Sequence, residues 1–115
     1  MERLIPKKET LEIEFKSDIK KLSDTDLIDA IVAFANTNGG DLYLGVEDNG
    51  MPTGLHKEHR DILQLAAFIA NRTIPPVSVR VETMKVDANI DVLMIHVPKS
   101  RSIVASSSGK IQRRR

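Results

Sequence analysis

Polar and apolar residues follow regular patterns in several stretches of this chain, and each pattern predicts an element of secondary structure. Residues 9–16 alternate between apolar and polar, which predicts a half-buried strand. Residues 23–36 place apolar side chains on one broad helical face, and Ser23 suits the N-cap of that helix. A second helix is predicted over residues 57–72, because apolar residues recur there at helical spacing and Ile74-Pro75-Pro76 stops it.

The stretch AFANTNGGDLYLGVEDNG, residues 33–50, predicts a helix end, a strand and a tight turn in close succession. Gly39 and Gly40 end the helix, because glycine adopts left-handed geometry without strain and lets two backbones approach closely. Asp48-Asn49-Gly50 is typical of a turn. Alternation along the strand predicts that one face is formed by Leu42, Leu44 and Val46.

The second half of the chain predicts further strands. Alternating valines predict one strand over residues 77–81, and residues 91–97 predict its antiparallel partner after a turn at 86–89. Residues 110–115 have the pattern of a last strand. Together these elements predict an α+β fold in which two helices pack on a mixed, largely antiparallel sheet.

Composition narrows the class of protein. The 115 residues suit a single domain over 1–115, with 41% apolar and 29% charged residues, as in ordinary globular domains. The chain has no cysteine, which excludes disulfides and zinc–thiolate sites. It also contains neither an apolar signal segment nor a run long enough to span a bilayer, so we predict a cytoplasmic protein.

Charge is distributed unevenly although the formal net charge is only +1. Residues 99–115 hold six of the 17 Lys and Arg residues and none of the 16 Asp and Glu residues. Segregation of this kind predicts a polyanionic partner near the C-terminus, and a solvated basic tail is the alternative. The chain ends shortly after a strand-like pattern begins, which predicts the N-terminal domain of a longer protein.

Three motifs together resemble a known family. They are ETLEIEFK at 9–16, AFANTNGG at 33–40 and LGVED at 44–48, followed by Gly50 and Gly54. This combination resembles the Schlafen AlbA-like domain, also called a divergent AAA domain or a DNA-binding domain of prokaryotic transcriptional regulators. The resemblance implies an AlbA-like α+β fold and a role in binding DNA or RNA.

Nucleic-acid binding is the first function that the sequence predicts. Basic side chains can neutralise phosphates, and Tyr43 is the aromatic residue predicted to be exposed, so backbone contacts should outweigh base stacking. The candidate phosphate-binding residues are Lys16, Lys20, Lys21, Lys99, Arg101, Lys110, Arg113, Arg114 and Arg115.

A metal-dependent endoribonuclease is the second function. The resemblance to RNA-cutting Schlafen proteins implies an acidic triad at Glu9, Glu14 and Asp48, which would hold Mg²⁺ or Mn²⁺. Glu9 and Glu14 are five residues apart, so on a regular strand they face opposite ways. They converge only if Glu9 lies in a turn or a bulge before the strand. The alternative role of Asp48 is to form the turn with Asn49 and Gly50.

A third prediction is an interaction module that forms a homodimer through exposed strand edges near Pro52 or in the C-terminal segment. His56 and His59 flank Glu58, but with no third ligand nearby they are predicted to be surface histidines.

Overall fold

The secondary structure follows the hydrophobic patterns closely. A computed structural model describes residues 5–114. Its elements, in chain order, are β1 (Ile13–Lys16), α1 (Asp24–Ala35), β2 (Gly40–Leu44), a short 3-10 helix (Lys57–His59), α2 (Ile62–Asn71), β3 (Thr73–Ile74), β4 (Arg80–Asp87), β5 (Ile90–Val97) and β6 (Ala105–Ser106).

Four strands form the main sheet in the order β1-β2-β5-β4. β1 and β2 are parallel and are joined by α1, whereas β2 with β5 and β5 with β4 are antiparallel. β3 and β6 form a separate two-stranded antiparallel sheet. The prediction of an α+β fold with a mixed, largely antiparallel sheet and two helices is therefore confirmed.

The sheet has an apolar cluster on each face. Both helices pack on one face, which includes Leu42 and Leu44 of β2. The opposite face carries a smaller cluster that includes Phe15, Tyr43 and Val46. The predicted grouping of Val46 with Leu42 and Leu44 is wrong, because Gly45 takes a φ of 97° and breaks the alternation after β2.

Helix α1 begins and ends as predicted. The Ser23 hydroxyl accepts a hydrogen bond of 3.1 Å from the Asp26 backbone N–H, so Ser23 is the N-cap. At the other end Gly39 has a φ of 72°, and its N–H donates to the Phe34 carbonyl at 2.8 Å. A Cβ on Gly40 would lie 2.4 Å from the Phe34 ring, so the double glycine also allows β2 to pass close to α1.

Three predicted boundaries differ from the structure. α2 begins at Ile62 instead of residue 57, because the Asp61 carboxylate caps the Gln64 N–H at 3.1 Å. β4 begins at Arg80, because residues 77–79 belong to no strand. Within the described residues, 111–114 form no strand. This stretch is held instead by side chains of α1 and of the loop after it.

Candidate nucleic-acid interface

Residues 99–114, called here the C-terminal segment, cross the C-terminal end of α1. The Ser100 N–H donates to the Ala35 carbonyl at 2.9 Å. The Asn36 amide donates to the carbonyls of Val104 and Gln112 at 2.7 and 2.8 Å, and its oxygen accepts from the Val104 N–H at 2.7 Å. One asparagine therefore fixes two separate stretches of the segment at the same place.

Arg114 anchors the end of this segment. Its guanidinium donates to Glu14 and to the Thr10 carbonyl, each at 2.9 Å, and also to the Leu11 carbonyl. The guanidinium carbon lies 4.3 Å from the centre of the Phe34 ring. The Arg114 N–H donates to the Thr37 hydroxyl at 2.8 Å. Arg114 thus joins the segment to β1, to α1 and to the loop after it.

Four predicted phosphate-binding residues of the segment project into solvent. Lys99, Arg101, Lys110 and Arg113 are all exposed. Within residues 5–114, the ion pairs are formed by other cations, among them Lys16, Lys21, Arg80 and Arg114. The last turn of α1 has no basic residue of its own. The segment that meets this negative end of the helix dipole through the Ser100–Ala35 hydrogen bond carries Lys99 and Arg101 on either side of Ser100.

The remaining basic candidates differ in their surroundings. Lys20 is exposed, while Lys16 lies 4.0 Å from Glu14 and Lys21 lies 4.0 Å from Glu58. The Arg114 guanidinium is engaged within the domain and its side chain is 14% exposed. Arg115 lies outside the described residues.

The prediction that Tyr43 is exposed is wrong. Tyr43 is buried in the cluster beneath the sheet, edge-on to Phe15 with ring centres 6.1 Å apart. Burial raises the pKa of the Tyr43 phenol above its usual 10.0, and the negative charge of Asp41 raises it further. Phe15 and Phe34 are buried as well. Stacking of bases on Tyr43, Phe15 or Phe34 is therefore not available.

The acids of the predicted triad have different environments. Glu9 precedes β1, as convergence would require, and its carboxylate returns to accept from the Phe15 N–H at 2.8 Å. Glu14 accepts from Arg114. Asp48 is exposed in a turn closed by a 2.8 Å bond from the Gly50 N–H to the Glu47 carbonyl.

These environments do not fit a metal site. No group of three His, Cys, Asp or Glu side chains among residues 5–114 is arranged to hold a metal ion. Glu14 instead has a guanidinium cation at 2.9 Å. The turn that the alternative assigned to Asp48 is present.

His59 is buried, contrary to the prediction of a surface histidine. Its Nδ1 lies 2.9 Å from both carboxylate oxygens of Asp18. The same carboxylate accepts from the backbone N–H groups of Leu22 and His56, each at 2.8 Å. Asp18 therefore fastens the loop after β1 to the 3-10 helix, and no pattern in the sequence indicated this pairing.

The fold and this surface define the class of protein: a small α+β domain that carries a basic segment across the end of its first helix. The family model described as Schlafen, AlbA_2 matches residues 9–115. The chain belongs to this family, which confirms the resemblance seen in the sequence.

Solved structures share the fold. The DIP2311 protein from Corynebacterium diphtheriae matches with a TM-score of 0.74 and 24% identity over 91% of this chain, which spans 23% of that protein. The N-terminal domain of an ATP-dependent DNA helicase RecG-related protein from Nitrosomonas europaea matches with a TM-score of 0.68 and 22% identity. That match covers 93% of this chain and 80% of the other.

Among the helices of residues 5–114, none has the length and apolar character needed to cross a membrane.

Proposed function

We propose that this domain binds duplex DNA through its sugar-phosphate backbone, using Lys99, Arg101, Lys110 and Arg113. The observation that carries the proposal is the fixed placement of these four exposed cations on a segment without acids. Asn36 holds the segment at Val104 and Gln112, and Arg114 joins its end to Glu14. A held segment offers its cations to phosphates with less loss of conformational entropy than a free tail does.

Burial of the aromatic residues favours a duplex over a single strand. Proteins that bind single strands without sequence preference stack bases on exposed aromatic rings. Here Phe15, Phe34 and Tyr43 are buried, and the Phe68 ring is covered by Arg72 at 4.7 Å. Contacts to phosphates position a protein on DNA but carry little sequence information, so we expect weak sequence preference.

Family membership and one structural neighbour also support DNA binding. The fold recurs in the N-terminal domain of a protein described as related to the DNA helicase RecG. The Schlafen AlbA-like resemblance points to transcriptional regulators, and we propose that the domain is the DNA-binding unit of such a cytoplasmic regulator. In that protein, the domain would hold the regulator on DNA.

The nuclease and the homodimer remain predictions that the described contacts do not favour. Glu14 is committed to Arg114, and the three acids do not assemble a metal site in the described part of the chain. For the homodimer, Pro52 is bridged to Val46 of its own chain, and the described residues 111–114 form no strand that could pair between chains.

The proposal is tested by fluorescence anisotropy with a labelled duplex of mixed sequence, a single strand of the same sequence and a duplex RNA. We expect the tightest binding to duplex DNA. The logarithm of the binding constant should fall linearly with the logarithm of the salt concentration, with a slope of about −0.9 for each phosphate contacted. Tighter binding to either RNA or single-stranded DNA would contradict the proposal, as would a salt-independent affinity.

A further inference from the structure

A polar row crosses one end of the main sheet, on the face opposite the helices. Arg80 of β4 pairs with His96 of β5, and His96 pairs with Asp41 of β2. Side chains at such paired positions lie side by side on the same face of a sheet. Lys99 follows His96 by three residues, so this row adjoins the start of the C-terminal segment.

The imidazole of His96 is oriented by Asp41. Its Nδ1 lies 2.8 Å from Asp41 Oδ1, and the two side chains are 42% and 35% exposed. Because a carboxylate only accepts hydrogen bonds, Nδ1 must carry a proton and donate a hydrogen bond to Asp41. This contact selects the imidazole tautomer that is protonated at Nδ1. Nε2, the other ring nitrogen, is then an acceptor in the neutral ring and a donor once the ring is protonated.

Arg80 supplies a permanent positive charge beside this ring. Its side chain is 66% exposed, and Nε lies 3.4 Å from Glu82. An exposed pair at that distance is weak. The terminal nitrogens of a guanidinium suit the oxygens of a phosphate.

We propose that His96 and Arg80 form a further phosphate-binding site, which continues the DNA interface from Lys99 onto the sheet. Nε2–H of the protonated imidazole donates to one phosphate oxygen, and the Arg80 guanidinium donates to another. Asp41 acts as a positioning residue, since it holds the ring through Nδ1. This inference rests on the proposed DNA-binding function. It adds that DNA binding is coupled to the protonation of His96.

The proton gives DNA binding a pH dependence of known sign. The charged groups paired with His96 across the sheet are Asp41 from β2 and Arg80 from β4, and Glu82, opposite Met94 on the same face, lies 3.4 Å from Arg80. Tyr43, two residues from Asp41, is neutral between about pH 5 and 8, since a phenol ionises near pH 10 and burial raises the pKa of Tyr43 further. Since phosphate binds the protonated ring better than the neutral ring, DNA affinity must rise as pH falls.

The experiment measures duplex DNA affinity by anisotropy from about pH 5 to 8 at constant salt. For the wild-type chain we expect the affinity to rise by up to about tenfold per pH unit in the steepest part, which is the limit for uptake of one proton. His96→Gln should lose the steepest part of the pH dependence yet keep binding through the C-terminal segment. Arg80→Gln should make the salt slope shallower by about 0.9.

His56→Gln is the matched control, because His56 is also partly exposed beside a carboxylate, 3.7 Å from Glu58. This variant should keep the wild-type pH dependence. An unchanged pH profile in His96→Gln would overturn the inference and leave the proposed function standing. Absence of DNA binding by the wild-type chain at every pH would instead overturn the proposed function itself. Circular dichroism of each variant confirms that a loss of binding is not a loss of fold.

Discussion

Arg114 and Glu14, which are 100 residues apart in the sequence, form a hydrogen-bonded ion pair of 2.9 Å on the helix side of the sheet. The pair joins the C-terminal segment to β1, the first strand of the main sheet. Arg114 lies over Phe34 as well, so the ion pair is shielded by an apolar ring. The acid that resembles a nuclease ligand therefore has a structural role in this chain.

Replacing Arg114 with alanine should lower the free energy of unfolding by about 2–4 kcal/mol, because it removes charge-assisted hydrogen bonds and leaves the partly buried Glu14 with only the longer contact to Lys16 at 4.0 Å. Urea unfolding followed by circular dichroism measures the effect. Arg113→Ala is the control, and because Arg113 is exposed we expect a change within about 0.5 kcal/mol. Equal effects from the two variants would refute the anchoring role of Arg114.

Asn36→Asp should loosen the C-terminal segment. The substitution keeps an oxygen for the Val104 N–H but removes the amide that donates to the Val104 and Gln112 carbonyls. We expect the free energy of unfolding to fall by about 2–3 kcal/mol, since these two carbonyls lose their donor and face a new negative charge. Amide hydrogen exchange should show faster exchange at Ser106 and Arg114, while the Leu93 and Ile95 amides in β5 change less. Uniform acceleration across the domain would contradict a local role.

Gly40→Ala should destabilise the domain strongly. The added Cβ would lie 2.4 Å from the Phe34 ring and 2.5 Å from the Glu12 carbonyl, so either α1 or the start of β1 must move. We expect the free energy of unfolding to fall by at least about 2 kcal/mol, which is the usual cost of overpacking combined with backbone strain. Gly109→Ala is the control: Gly109 has a positive φ of 89°, as Gly40 has one of 153°, but no heavy atom lies within 4 Å of the added Cβ. A similar loss in both variants would show that backbone strain alone, without the contact, sets the cost.

Tyr43 should ionise only above the usual range of a phenol. It is the one tyrosine in a chain without tryptophan, so phenolate absorbance reports its pKa alone. The folded-state pKa is raised by burial first and by Asp41 second. The unfolded chain therefore loses this proton first as pH rises, and the stability associated with Tyr43 is lost above about pH 10.

Tyr43→Phe should remove this contribution to alkaline unfolding. Asp41→Asn should lower the phenol pKa part of the way, because burial remains when the charge is gone. Spectrophotometric titration tests the Asp41→Asn effect, and an unchanged phenol pKa in that variant would refute the electrostatic contribution.

Local patterns were enough to predict much of the fold. Ser23 carries a short-range capping signal and the double glycine marks the end of α1, and the structure confirms both predictions. Alternation failed at Val46, because the φ of Gly45 depends on how the chain meets its neighbours. Aspartate is a residue type that caps helices, and Asp61 caps α2. The helical spacing of apolar residues continues across 57–72, so it does not show that α2 begins only after Asp61.

The candidate site was only partly predictable, for a different reason. The excess of basic residues after position 98 is visible in composition. The contacts of Asn36 with Val104 and of Arg114 with Glu14 join residues far apart in the chain, and no local pattern encodes them. The same holds for His59 and Asp18, whose burial appears only once the loop after β1 meets the 3-10 helix.

The most direct test compares the salt dependence of duplex DNA binding by two variants with equal loss of charge. One replaces Lys99, Arg101, Lys110 and Arg113 with alanine, and the other replaces the exposed residues Lys8, Lys57, Arg60 and Lys85. If the C-terminal segment is the interface, the first variant should bind weakly with a slope shallower by about 3–4, while the second stays near wild type. Equal losses of affinity and slope in both variants would contradict an interface at the C-terminal segment.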